Sequence, residues 1–260
     1  MAEPTVEPVL RSLTVLKMLN RRSVTTLSTL HAETGLPKST LVRLLDTLIA
    51  GGYVSRLHRR RGYQLTDRVL HLARGYQFSD PVIQAARPVL EKLTQKFKWP
   101  FTICTLQGSH MRIRFSTTFH APMADESDYA HDRVPLLPSA MGQAYLAFCS
   151  EEERKILLRM VQKSENANDL LSRDTRFVTK LLATVAERGY ANTLKVGDLR
   201  LSGMAIPIIV EDQVRATFTL RHYTSAMTAE EAATLYLSRM QDAAREISAA
   251  ALEMEQAIHP

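Results

Sequence analysis

One stretch constrains the whole chain: residues 26–65, TLSTLHAETGLPKSTLVRLLDTLIAGGYVSRLHRRRGYQL. Thr26 offers a side-chain oxygen to the start of a helix whose Leu27 and Leu30 share one face, and Gly35 supplies the left-handed residue that ends it. Gly35, Leu36 and Pro37 make a turn. A second helix is predicted from Lys38 to Ala50, with Leu41, Leu44, Leu45 and Leu48 on one side and Lys38, Ser39, Val42, Arg43 and Asp46 on the other. Gly51 and Gly52 stop it. Val54 to Arg56 and Gly62 to Leu65 then read as short strands joined by a basic tip, His58, Arg59, Arg60 and Arg61. A plain helical domain with a solvated charge run does not require this order of helix, glycine-centred turn, helix and basic hairpin. A winged helix-turn-helix does.

Charge supports that reading. Residues 1–78 carry a net +7, whereas the rest of the chain carries −1, against +6 for the whole. The basic excess therefore sits with the helix-turn-helix and points to a polyanion at that end. At 260 residues with 45% hydrophobic content, the chain is long enough for two cores. No basic leader precedes an apolar run and no stretch approaches the ~20 apolar residues of a membrane span. The expectation is a soluble, cytoplasmic protein. Cys104 and Cys149 are expected as buried reduced thiols, and the eight scattered histidines show no metal-ligand spacing, so no metal or cofactor is expected.

Taken in order, residues 1–8 are expected as a loose arm. In the first helix Val9, Leu10, Leu13, Leu16 and Leu19 form a stripe to complete a three-helix core, and Arg21 and Arg22 close it. After the wing, Thr66 and Asp67 cap a linker helix reaching about Tyr76, and Phe78, Ser79, Asp80 and Pro81 break it. The predicted division is residues 1–66 for DNA binding, 67–80 for the linker and 81–260 for a second, sensory-type domain. An amphipathic helix follows from Val82 to about Phe97. Phe101 to Leu106 and Met111 to Ser116 alternate around Gln107 to His110, a hairpin signal. About 20 residues up to Pro138 have no clear period. Helices are predicted from Ser139 through Phe148, over Glu151 to Gln162, and from Thr175 to Arg188 before Gly189. Strands return at Gly203 to Val210 and Val214 to Leu220, and Thr228 with Glu231 forms a capping box for a final helix to about Gln256. The fold class is α+β: a winged helix-turn-helix, a linker helix and a second, sensory-type domain of strands and helices.

With these residues in view, the chain resembles the IclR family of bacterial transcriptional regulators. The resemblance rests on TGLPKSTLVRLLDTLIAGGYV, the wing, GYQLTDRVLHLARGY, PLLPSAMGQAYLAF and GMAIPI, and covers nearly all of residues 9–256. KWPFTICTL, LAFCSEEERK and SAMTAEEAA look closest to activators of hydroxyphenylpropionate and related aromatic-acid catabolism. The family implies a GAF-like C-terminal domain, a homodimer or homotetramer, and a pseudo-palindromic double-stranded DNA operator with half-sites ~34 Å or a multiple apart. RNA polymerase is a further partner that such an activator implies.

The residues expected at DNA are Lys38, Ser39, Thr40 and Arg43, with Arg59, Arg60 and Arg61 adding affinity through phosphates. By match to the family's pocket, Ser139, Ala140, Met141 and Gly142 form one wall, their N–H groups facing a ligand carboxylate. Gly203, Thr219 and Arg221 fall where relatives place polar or Cys contacts. Gly203 opens space, and Arg221 puts a cation where a small polar residue is common. Together they imply a bulkier aromatic or other organic acid, with Phe101, Met141, Tyr145, Met204 and Tyr223 holding a ring. Arg112 and Arg114 are alternative carboxylate partners. Ligand is expected to favour one arrangement of the domains across the Arg68 to Phe78 linker. Two rival readings remain at this point: an enzyme using Ser139 or Cys104 as nucleophile, and a DNA-binding oligomer that answers to no ligand. Ser139 lacks a G-x-S-x-G context, which counts against the enzyme.

Overall fold

The computed structural model describes residues 5–58, 62–72, 80–124, 133–194 and 200–258. It divides into two compact units, Met1–Ser79 and Asp80–Pro260.

The first unit is three helices and a two-stranded wing: α1 (Glu7–Leu19), α2 (Leu27–Thr34), α3 (Lys38–Ala50), β1 (Val54–Arg56) and β2 (Tyr63–Leu65), followed by a short α4 (Arg68–His71). Local chemistry sets α2: the Thr26 hydroxyl accepts the Thr29 N–H at 3.1 Å, and Gly35 ends the helix at φ +69°. Val15, Leu19, Leu30, Leu41, Leu45, Leu48, Val54 and Tyr63 form the core. Thr25 and Tyr63 exchange backbone hydrogen bonds at 2.9 Å, tying the wing to the strand-like entry of α2.

Four expectations need correction here. Val9, Leu10 and Leu13 of α1 are about half exposed, at 54, 48 and 49%, whereas Leu19 and, in part, Leu16 of the predicted stripe join the core together with Val15. The apolar side chains of α1 outnumber the positions one helix face can bury. The arm is shorter than expected, because α1 already starts at Glu7. Arg21 and Arg22 lie beyond its end at Leu19; Arg22 pairs with Glu33 at 2.6 Å. Asp67 makes no capping bond, and the Thr66 hydroxyl donates to the Gly52 carbonyl at 2.6 Å. The remainder of the expected linker helix, residues 73–79, lies outside the described residues.

The second unit is one antiparallel sheet with helices on both faces. Its strands are β3 (Phe101–Gln107), β4 (His110–Ser116), β5 (Arg133–Pro135), β6 (Ala191–Asn192), β7 (Leu201–Val210) and β8 (Gln213–Tyr223), in the order β5-β4-β3-β8-β7-β6. Helices α5 (Pro81–Phe97) and α9 (Ala229–Ile258) enclose a core with Phe101, Ile103, Met204, Phe218 and Leu220. On the other face α6 (Ala140–Phe148), α7 (Glu151–Gln162) and α8 (Thr175–Arg188) pack with Cys104, Met111, Leu136 and Ala205. The predicted caps form: Thr228 Oγ1 accepts the Glu231 N–H, and Glu231 accepts the Thr228 N–H. The stretch without a period contains a 3-10 turn (Thr118–His120) and the edge strand β5; a second 3-10 segment, Ala167–Arg173, and the two-residue β6 also went unpredicted. Among the described residues no helix is long and apolar enough to cross a membrane.

Gly142 fixes how α6 sits. A Cβ there would lie 2.2 Å from the Leu136 carbonyl oxygen and 2.4 Å from its Cα, so the helix backbone touches the preceding loop. Gly142→Ala is expected to destabilise this unit by about 1–3 kcal/mol, read as a lowered urea midpoint. His222 provides a pH test. It is buried on β8, its Nδ1 lies 3.3 Å from the Tyr223 carbonyl oxygen, and Nε2 has no protein partner. Burial holds its pKa below the usual histidine value, outweighing the opposing pull of that carbonyl. The unfolded chain therefore takes up this proton at a higher pH than the fold does. The contribution is fully present above the unfolded pKa of about 6.5 and is lost as pH falls through the lower folded pKa. Urea midpoints measured from pH ~7.5 down to ~5 should fall for the wild type and fall less steeply for His222→Gln.

Candidate nucleic-acid interface and ligand cavity

Helix α3 separates its side chains cleanly. Leu41, Leu45 and Leu48 are buried; Lys38, Ser39, Arg43 and Asp46 are exposed, with Thr40 and Val42 at the margin. Its N-terminus carries no side-chain cap, because Pro37 stands at that position. The first N–H groups of a helix have no partner within it, so Lys38, Ser39 and Thr40 present donors at the positive end of the dipole. The turn before them is pinned by a 2.8 Å contact between His31 Nδ1 and the Leu36 carbonyl. Two cations escaped the sequence reading: Arg56 lies over the Tyr63 ring at 5.6 Å, and Arg68 over Tyr53 at 5.3 Å. Arg59, Arg60 and Arg61 lie outside the described residues.

In the second unit a cavity of about 280 Å³ opens between the start of α6 and the sheet. Ser139, Ala140, Met141, Gly203, Thr219 and Arg221 all line it. So do Thr102, Thr193 and Ser202, together with the aliphatic Ile113, Val134 and Leu201, none of which the sequence marked. Gly203 does not open space, as expected, but sits where its neighbours leave no room for a side chain. A Cβ at this position would stand 2.9 Å from Thr219 Cγ2 and 3.3 Å from Thr193 Oγ1. Thr219 is 2% exposed, and its hydroxyl has no protein partner. The Ser139 hydroxyl is already engaged, donating to the Pro135 carbonyl at 2.6 Å and accepting the Gly142 N–H at 3.0 Å. That leaves Ala140 and Met141 as the helix-start N–H groups on the cavity wall.

Other expected members lie elsewhere. Phe101 and Met204 point to the opposite sheet face and are fully buried with α5 and α9. Gly142 serves packing against Leu136. Tyr145 is one turn beyond Met141 and donates to Glu153 at 2.7 Å; Tyr223 packs near Trp99, ring centroids 6.5 Å apart. The expected aromatic wall is therefore absent from the described lining. Neither alternative cation lines it: Arg114 pairs with Asp80 at 3.2 Å, and Arg112 contacts Gln107. Arg221 is the cation on the wall. Burial drives the Cys104 thiol far above its ordinary pKa, against a smaller opposing effect of Arg221, and its Sγ lies 2.8 Å from Met141 Sδ. Cys104 is thus a poor nucleophile, and the Ser139 hydroxyl is spent on backbone groups.

Comparison with known proteins agrees with both halves. The model of the IclR helix-turn-helix domain matches residues 8–58, and that of the bacterial transcriptional regulator IclR C-terminal domain matches residues 76–249. The DNA-binding transcriptional repressor YiaJ of Escherichia coli (strain K12) is 26% identical over 180 residues, a match spanning 67% of this chain and 62% of the repressor. A transcriptional regulator from Rhodococcus sp. RHA1 shares the fold at a TM-score of 0.64 and 22% identity, over 96% of this chain and 100% of that one. An IclR homolog from Microbacterium hydrocarbonoxydans, solved in complex with 4-hydroxybenzoate, gives a TM-score of 0.61 and 21% identity over 95% and 100% of the two chains. These matches are to transcriptional regulators, not to enzymes. Both domains are matched in order and cover most of the sequence: the chain belongs to the IclR family of bacterial transcriptional regulators.

Proposed function

We propose that this protein is a ligand-responsive regulator of a catabolic operon. As a homodimer or homotetramer it reads a pseudo-palindromic operator through α3 and senses a small organic carboxylate in the Arg221 cavity. The observation that carries the reading is that cavity: one guanidinium, the Thr102, Thr193 and Thr219 side chains, the start of α6 and aliphatic walls. A guanidinium and two helix-start N–H groups match a carboxylate, hydroxyl side chains suit a ring or chain hydroxyl, and Ile113, Val134 and Leu201 suit its carbon frame. About 280 Å³ fits one substituted ring or a short chain, not a larger molecule. The 4-hydroxybenzoate complex of the Microbacterium homolog supports a single-ring acid. The aliphatic lining favours a second reading, a short oxo- or hydroxy-acid. Resemblance to activators of hydroxyphenylpropionate catabolism supports activation as the sense of the response, with RNA polymerase as partner.

On the DNA side, Lys38, Ser39 and Thr40 contact phosphate at the α3 N-terminus, and Arg43, one turn on, takes a base edge. The basic tip Arg59, Arg60 and Arg61 adds phosphate contacts. Ligand shifts the DNA-bound population only as far as it prefers one arrangement of the two units.

Two experiments test these assignments. In operator titrations over a range of salt, Arg43→Ala should cost about 1–3 kcal/mol and relax preference at one operator position, whereas Lys38→Ala should weaken all sequences alike and lower the salt slope by about 1. Wild-type binding by both variants would remove α3 from the interface. For the cavity, footprints on the upstream intergenic DNA with hydroxybenzoates, hydroxyphenylpropionates and short oxo-acids should change with one acid. Arg221→Ala should raise the concentration needed by about a hundredfold, and Gly203→Val should abolish the response. A footprint indifferent to the whole panel would sink the acid-sensing assignment.

A further inference from the structure

Most of the hydroxyls that line the Arg221 cavity are already engaged within the fold. Thr102 Oγ1 lies 2.9 Å from Ser116 Oγ of β4, and Thr193 Oγ1 donates to the Gly203 carbonyl at 3.4 Å. The Ser139 hydroxyl holds the Pro135 carbonyl and the Gly142 N–H, and Ser202 is only half-buried. Thr219 differs from all of them. Its side chain is buried on the cavity wall, and its Oγ1 has no hydrogen-bond partner in the protein.

The strand pairing explains how this hydroxyl is left over. Thr219 stands on β8 between Thr102 of β3 and Ala205 of β7. Thr102 spends its hydroxyl on Ser116, Ala205 has none to offer, and the branch of Thr219 nearest Gly203 is the methyl. A buried hydroxyl without a partner is costly, so a polar group that reaches it from the cavity gains what the fold leaves unsatisfied. A ligand that fills the same space without such a group displaces solvent and leaves the hydroxyl orphaned. Thr217, two residues earlier on the same face, provides an internal comparison. Its buried hydroxyl is also unpartnered, but it stands opposite Cys104 and does not line the cavity.

We propose that Thr219 is the specificity-determining residue of this cavity. It hydrogen-bonds a hydroxyl or oxo group that the ligand carries besides its carboxylate, and so selects hydroxy- and oxo-acids against unsubstituted acids of the same carbon frame. The assignment rests on the acid-sensing reading and narrows it to one chemical class. Arg221 supplies an attraction that both kinds of acid share, and Thr219 supplies the difference between them.

Isothermal titration of the full-length protein with matched acids tests this: 4-hydroxybenzoate against benzoate, 3-hydroxyphenylpropionate against phenylpropionate, and pyruvate and lactate against propionate. At least one hydroxylated or oxo acid should bind about tenfold or more tighter than its unsubstituted counterpart. Thr219→Val, which keeps the shape and removes the hydroxyl, should bring that pair within about threefold of each other. Thr219→Ser and Thr217→Val should both keep the preference, and Arg221→Ala should weaken both acids alike. Absence of binding by every acid would overturn the acid-sensing reading and this assignment with it. Binding without a preference, or a preference that survives in Thr219→Val, would overturn the role of Thr219 alone.

Discussion

Alternation across the β3–β8 ladder decides what each face of the sensing unit becomes. Phe101 lies opposite Leu220 and Ile103 opposite Phe218, and these four close the core beneath α5 and α9. Their neighbours, Thr102 opposite Thr219 and Cys104 opposite Thr217, turn to α6. Small, mostly hydroxyl-bearing side chains cannot fill the space that phenylalanine and leucine fill on the other side, so a cavity is left where they face the helix. Gly203 lies directly opposite Arg221 on β7, where the close approach of Thr219 and Thr193 leaves no room for a side chain. One period-two pattern thus produces both a dry core and a polar cavity, separated by the thickness of a single sheet.

The same pattern explains which parts of the fold were legible in the sequence. Helices α2, α3, α7 and α8 were readable to within a residue: a cap and a stop bound α2 (Thr26, Gly35) and α8 (Asp174, Gly189), and the apolar period of α3 runs between Pro37 and Gly51. Strands β5 and β6 were not, since two or three residues carry no period and are defined by their partners. In the cavity, Ser139, Met141, Gly203, Thr219 and Arg221 followed from resemblance. Phe101 and Met204 failed because each is one residue from a lining position, Thr102 and Gly203, and one residue reverses the face. Tyr145 failed differently: it shares a helix side with Met141 but stands about 6 Å further along the axis. Thr193 was beyond any local rule, because it reaches the cavity only where the chain after β6 bonds to Gly203 of β7.

Charge divides the labour between the units. The basic excess of the first 78 residues lies with the operator-reading half, whereas the second half is close to neutral and places its charges at particular sites. A ligand held there alters operator occupancy only by preferring one of the states that differ in DNA affinity, and about 1.4 kcal/mol of preference is needed for each tenfold change. A cavity that seats its ligand equally well in every state would bind tightly and regulate nothing.

Helix α6 is the element positioned to express such a preference. It is nine residues long, about 13 Å, and buried from Ala140 to Ala147, so solvent screens its dipole little along that length. Its positive end meets the Arg221 cavity. Gly142 rests on the Leu136 backbone too closely to admit even a methyl group, which leaves the helix no room to settle inward at its start. A ligand that crowds Ala140 and Met141 must therefore displace the helix along or away from the sheet, and a buried helix moves as a unit. Tyr145 and Phe148 would move with it.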